Sequence, residues 1–253
     1  MKRALLALTA GALLPLSMAP LHLWWLGPIA IGLYFFVLCE EKGRRGALLG
    51  WFYGLGLYGV GTSWIYVSIH EHGGAPPLLA GFLVILFVAG MAIFPLLQGW
   101  LFSRFKSQDP VRAAVLFAPL YLALEWLLTW ALTGFPWVAA GYGQLESPLA
   151  ALAPVGGVAL VSFAAICSGL ALALGVMGWR DGVRSRARFA VLTAILLAPW
   201  VLAGLAGQLT WVQPGTSRTV ALVQGNIAQA TKWHSENRLP IIQRYRTLTE
   251  PHW

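Results

Sequence analysis

Long apolar runs separated by short polar connections fill most of this chain. Ala4 to Leu38 is almost unbroken. One membrane crossing takes about 20 apolar residues, so the run is too long for one helix and short for two. Pro15, Pro20 and Pro28 interrupt it, and Pro20-Leu21-His22 reads as a turn. The pattern predicts a hairpin of helices, Ala4–Ala19 and His22–Cys39. Five further runs follow: Gly46–Ile69, Pro77–Phe102, Val111–Leu132, Leu149–Met177 and Phe189–Gln208. The expected architecture is therefore a mainly α membrane protein with seven transmembrane helices. Lys2-Arg3 before an apolar run also resembles a signal peptide. The apolar sequence resumes almost at once, which favours an uncleaved first span.

The character changes at Trp211. Gln213 to Ser217 is a polar linker, giving a transmembrane region over 1–208, a linker over 209–218 and a separate unit from 219 to 253. Thr219-Val220-Ala221-Leu222-Val223-Gln224-Gly225 reads as a short strand buried on both faces. Ser235 is placed to cap a helix in which Leu239, Ile242, Tyr245 and Leu248-Thr249 recur at helical spacing, with Pro240 near its first turn. One strand and one helix cannot bury a core, so this unit is expected to be incomplete.

Composition agrees with the membrane class. The chain is 58% hydrophobic and 10% charged, where soluble domains average about 25% charged residues. The net charge of +8 raises nucleic acid as a partner, but the basic residues form no patch on a soluble fold. They alternate instead. With the N-terminus taken as cytoplasmic, one set of connections holds Lys2, Arg3, Lys42, Arg44, Arg45, Arg104, Lys106, Arg112, Arg180, Arg184, Arg186 and Arg188. The opposite loops, around Pro20, His70–Pro76 and Thr133–Pro148, hold no lysine or arginine. The positive-inside rule then fixes the orientation and puts the segment after Leu209 outside the cytoplasm.

Several residues invite a functional reading. Gly46, Gly50 and Gly54 share one helix face, which suits close helix packing, with a lipid-access groove as the sharper alternative. Trp24, Trp25, Trp64, Trp100, Trp130, Trp137, Trp179 and Trp211 fall near span ends, as an aromatic belt requires. His70-Glu71-His72 sits in an outward loop, but its spacing is not that of a zinc site, and a wetted interfacial loop explains it. Glu125 is the one carboxylate well inside a span, so it is either functional or a hydrogen-bonded structural group. The loop from Thr133 through Trp137 to Tyr142 and Gln144 is rich in glycine and aromatic residues, suited to the headgroup zone, for lipid contact or for anchoring. Cys39 and Cys167 lie far apart inside apolar runs and read as packing residues.

Four stretches together resemble the apolipoprotein N-acyltransferases, which complete bacterial lipoprotein maturation. They are Gly61-Thr62-Ser63-Trp64-Ile65-Tyr66-Val67-Ser68-Ile69-His70 with Gly73-Gly74; Glu125-Trp126 with Leu132-Thr133-Gly134-Phe135-Pro136-Trp137 and Gly141-Tyr142-Gly143-Gln144; Leu152-Ala153-Pro154-Val155-Gly156-Gly157-Val158; and Val220-Ala221-Leu222-Val223-Gln224-Gly225-Asn226-Ile227 with Gln229 and Lys232-Trp233. They run in the family's order over nearly the whole chain.

The resemblance implies a bacterial inner-membrane enzyme with a periplasmic nitrilase-like α-β-β-α domain, of which residues 219–253 would be the opening. It implies ping-pong acyl transfer: a cysteine takes an acyl chain from a phospholipid donor and passes it to the amino group of a diacylglyceryl-modified apolipoprotein. The implied partners are these two substrates and membrane lipid. No cofactor, metal or nucleic acid is called for. The implied catalytic Glu, Lys and Cys have no counterpart in this chain, the Glu being expected shortly past Trp253, and neither Cys39 nor Cys167 is the nucleophile. Trp233 matches an active-site tryptophan, with a core aromatic as the alternative, and Trp137 and Tyr142 are weaker candidates for lipid contact. One departure concerns Glu125: the family often has an arginine three residues on, where this chain has Leu128. The rival readings are a non-enzymatic membrane protein such as a transporter, although no paired charged groups mark a midplane site, and a nitrilase-type fusion with different acyl chemistry.

Overall fold

The computed structural model describes residues 1–182 and 185–253; Arg184, one of the basic residues placed on the N-terminal side, lies outside the described residues. Helices stand at all of the expected spans. They are α1 (Lys2–Leu13), α2 (Leu26–Cys39), α3 (Arg44–Gly61) with the short α4 (Trp64–Val67), α5 (Pro77–Met91) and α6 (Ile93–Phe105), α7 (Pro110–Leu127), α8 (Ala153–Arg180) and α9 (Arg186–Ala206). Among the described residues, three helical stretches, Pro77–Phe105, Pro110–Leu127 and Pro148–Arg180, are long and apolar enough to cross a membrane, and Leu26–Cys39 and Ala190–Ala206 are shorter apolar helices. In lipid each backbone N–H must be paired within its own segment, which is why the apolar runs become helices.

Small residues set the packing. α3 lies between α1 and α6. A Cβ at Gly50 would stand 2.0 Å from the Pro95 carbonyl oxygen of α6. The Gly46–Gly50–Gly54 face is therefore filled by α6, and of the two readings it is the packing one that the structure shows. Around this seam the aromatic core closes: Tyr34 stacks on Tyr53 at 3.8 Å between ring centres, and Phe117 meets Phe35 and Phe102 edge-on at 5.2 and 5.4 Å.

The two ends of the bundle differ. At one end Arg3, Glu40, Glu41, Arg45, Lys106 and Arg180 meet in ion pairs and hydrogen bonds. The other end carries the α3–α4 junction, the turn after α1 and the loop between α7 and α8.

Beyond α9 the outcome departs from expectation. Thr219–Gly225 forms no strand, and no strand is present among the described residues. A ladder needs a partner's N–H and C=O groups, and none runs beside this segment. The expected helix does form, as α10 (Arg238–Thr249). Ser235 does not cap it; that residue opens a 3-10 turn instead. Tyr245 of α10 lies over Gly225, where a Cβ would meet its ring at 2.6 Å.

Candidate functional site

The end of the bundle whose loops hold no lysine or arginine is shaped by three backbone segments. α1 ends in a 3-10 turn, Leu14–Ser17, because Pro15 cannot continue the helix hydrogen bonding. α3 ends at Gly61 and restarts as α4 at Trp64. The α7–α8 connection passes through three residues of positive φ, Leu132 (52°), Thr133 (76°) and Gly134 (87°), before Phe135.

Between these segments runs a groove of about 1000 Å³ whose walls include Pro15, Met18, Trp64, Pro136, Trp137 and Tyr142. Trp64 and Trp137 meet edge-on at 6.3 Å. Trp137 is 64% exposed, so its ring forms a rim and is not core. Val60, Gly61, Ser63 and Leu145 complete a lining with no formal charge.

Beneath the groove lies a smaller cavity of about 40 Å³. Phe135, Pro136, Val138 and Ala139 line it from the loop, and Pro136 touches both spaces. Its walls bring together polar groups from three helices: Tyr53 and Tyr58 of α3, Gln98 of α6, and Tyr121 and Glu125 of α7. The Tyr53 and Tyr121 hydroxyls share a hydrogen bond of 2.8 Å. Gln98 is 3% exposed, and its Nε2 has no protein partner.

Glu125 does not reach into the groove. Its Oε1 accepts from the Ala140 N–H at 2.7 Å, and the carboxyl is also hydrogen-bonded to Ser162 of α8. The Ser162 hydroxyl in turn accepts from the Gly141 N–H at 2.8 Å. Leu128, three residues on, is buried and lines the cavity. One turn further on, the Gln144 Nε2 donates to the Trp24 carbonyl at 2.9 Å and ties the loop to the start of α2.

Of the residues singled out by sequence, the structure thus brings Trp137, Tyr142 and Glu125 into one neighbourhood. Trp233 stands apart. It is 79% exposed, with the Lys232 ammonium 5.4 Å from its ring centre. α10 packs on its own flanking turns, Ser235–Asn237 and Glu250–His252. His70-Glu71-His72, expected in a loop, belongs to a π-helical turn, Ser68–His72, where His70 Nδ1 donates to the Ala75 carbonyl at 2.8 Å. Ser162 and Gln98 escaped the sequence reading. Polar residues inside apolar runs were the available signal, since such groups are costly in a membrane and seek partners.

Comparison with known proteins places the chain. A family model described as the apolipoprotein N-acyltransferase N-terminal domain matches residues 10–171, which hold the whole groove and the Glu125–Ser162 contact. Apolipoprotein N-acyltransferase of Pseudomonas syringae pv. tomato is 44% identical over 250 residues, covering 97% of this chain and 48% of the relative. The protein of that name from Azotobacter vinelandii is 46% identical over 248 residues, covering 97% and 47%. The one from Photobacterium profundum is 38% identical over 256 residues, covering 99% and 47%. The chain spans about half the length of these curated relatives. It belongs to the apolipoprotein N-acyltransferase family.

Proposed function

We propose that these residues are the membrane part of an enzyme that N-acylates lipoproteins, and that the aromatic groove receives the lipid-borne substrates. A phospholipid supplies the acyl chain, and the diacylglyceryl-cysteine of an apolipoprotein accepts it. In this reading the chain crosses the bacterial inner membrane seven times, with the basic end cytoplasmic and the groove on the periplasmic side. Residues 1–208 are the membrane scaffold, 209–218 a linker and 219–253 the opening of a nitrilase-like domain. The chemistry runs through a thioester: a thiolate displaces the phospholipid's ester oxygen, and the acceptor amine then displaces the thiolate. The Glu, Lys and Cys that carry it are placed outside these residues. Trp137 and Tyr142 contact lipid at the groove, Glu125 lies below them, and Trp233 belongs near the reacting atoms.

The observation that carries the reading is the groove itself. An uncharged, aromatic-rimmed trough suits an acyl chain below and an ester above, because indole and phenol rings favour the interface between hydrocarbon and headgroups. No paired ionisable groups face it, as a transporter's midplane site would require.

The test is photo-crosslinking. The chain is reconstituted in phosphatidylethanolamine–phosphatidylglycerol vesicles containing a diazirine-acyl phosphatidylethanolamine, and labelled peptides are mapped by mass spectrometry. Label concentrated between Pro136 and Leu145 and between Val60 and Trp64 is expected. Label spread evenly over the lipid-facing helices overturns the groove assignment. The activity is tested by mass spectrometry of lipoprotein N-termini in cells depleted of the intact protein. Lipoproteins lacking the N-acyl chain are expected, and unchanged N-acylation overturns the enzymatic reading.

A further inference from the structure

The loop that forms the groove's rim is supported in an uneven way. At its start Leu132 and Thr133 occupy the left-handed region, which is costly for any residue with a Cβ and most of all for a β-branched one. Phe135 is then pinned between Phe87 and Tyr58, at 5.1 and 6.4 Å between ring centres. Of the next residues, Pro136, Val138 and Ala139 line the small cavity, and only Val138 is buried in the core. The loop's backbone is tied to the helices at Ala140 and Gly141, whose N–H groups are taken by Glu125 and Ser162.

We propose that Glu125 is a positioning residue of the groove. With Ser162 it fixes Ala140 and Gly141, and through them the height and tilt of the rim that sets Trp137 against Trp64 and turns Tyr142 into the trough. This rests on reading the groove as a lipid site. The strain at Leu132–Gly134 favours other loop conformations. The tether from α7 is what selects the one observed. It also explains why a carboxyl sits in an apolar helix with no cationic partner: its oxygens serve a backbone N–H and a hydroxyl. Glutamine can keep both contacts, accepting from Ala140 through Oε1 and donating to Ser162 through Nε2. Leucine keeps neither.

The experiment uses the chain in phospholipid nanodiscs with the substitutions Glu125→Gln, Glu125→Leu and Ser162→Ala. Amide hydrogen exchange is read for the peptide containing Ala140 and Gly141, and diazirine-lipid labelling for the Trp137 and Tyr142 peptides. Glu125→Leu is expected to speed exchange at Ala140 about tenfold or more, as loss of one buried hydrogen bond should. It is also expected to move the lipid label off the rim, with α2 and α8 exchanging as in the wild type. Glu125→Gln should restore both readouts. Ser162→Ala should act in the same direction and less strongly, and it serves if the leucine variant does not fold. Unchanged exchange in Glu125→Leu and Ser162→Ala overturns the proposal. So does loosening of α2 and α8 together with the loop, or a glutamine variant as impaired as the leucine one. If the wild-type chain takes no label at the rim, the lipid reading of the groove fails, while the exchange data still decide whether Glu125 positions the loop.

Discussion

The two ends of the bundle hold their connections by different means. At the basic end the ties are charged and redundant. Arg3 of α1 bridges to Glu40 at 2.6 Å and to Glu41, and Glu40 also receives Arg180 of α8. Lys106, just past α6, donates through Nζ to the carbonyls of Leu38 (2.9 Å) and Cys39. Those are the last carbonyls of α2, the end of a helix that attracts a cation. Burial holds the Lys106 ammonium below its ordinary pKa, so the site accepts a desolvation cost to place it there. At the aromatic end a strained loop is held by single hydrogen bonds, from Ala140 to Glu125, from Gly141 to Ser162 and from Gln144 to the Trp24 carbonyl, with Glu146 3.9 Å from His22. The lesson is one of division: one end is cross-braced by ion pairs, and the other holds an irregular loop beside an open groove.

The largest effect is expected from breaking the seam that joins the ends. A Cβ on Gly99 of α6 would lie 2.2 Å from the Gly46 carbonyl oxygen, a clash with backbone that no rotamer relieves. Gly99→Leu should destabilise the bundle by about 3 kcal/mol, the upper range for overpacking. Thermal unfolding in detergent micelles, followed by circular dichroism, measures this. Because α3 carries the Val60–Trp64 wall, lipid labelling of the groove should fall with it. A Gly99→Leu protein that unfolds at the wild-type temperature would show that α3 and α6 are not locked as described.

Breaking the basic end alone should cost less. Glu40→Ala removes the shared partner of Arg3 and Arg180 but leaves Glu41 and the Lys106 contacts. Half-exposed ion pairs contribute little each, so the melting temperature should fall by about 2–4 °C. The loss should shrink at about 0.5 M salt, where such pairs are screened. Groove labelling should not change. A fall as large as that of Gly99→Leu would mean that charge, more than packing, holds this end.

What the sequence made legible follows from how local each signal is. Apolar runs specify helices by themselves in lipid, and helices stand where the runs were placed. The glycine face of α3 was readable because its period of four residues is local. A strand was expected over 219–225 and none forms, since propensity cannot supply the neighbour a ladder needs. The groove was half legible. Trp137 and Tyr142 stood out by composition, but the third wall comes from Pro15 and Met18, far away in the chain. Glu125 was visible as a lone carboxylate. Its partners were not, because a backbone N–H carries no sequence signature and Ala140 lies in an irregular loop. The positive φ at Leu132 and Thr133 was invisible for the same reason: neither residue type announces it.

The smallest effect on stability, and the clearest separation of the two ends, is expected from Trp137→Ala. Trp137 is a rim residue whose ring contact is Trp64, so truncation opens no cavity in the core. Exposed positions of this kind usually change stability by about 0.5 kcal/mol or less. An aromatic wall, however, supplies most of a trough's contact area for a chain lying in it. The variant should therefore melt with the wild type while taking several-fold less diazirine label between Pro136 and Leu145, on the order of the loss expected when one large apolar contact is removed. Trp137→Phe should keep most of the label, because a phenyl ring preserves the wall and loses only the indole N–H. A Trp137→Ala chain that melts early would instead make this tryptophan a structural brace like the arginines at the opposite end. In that case the contrast between a braced end and an open one would be wrong at the residue where it is most exposed to test.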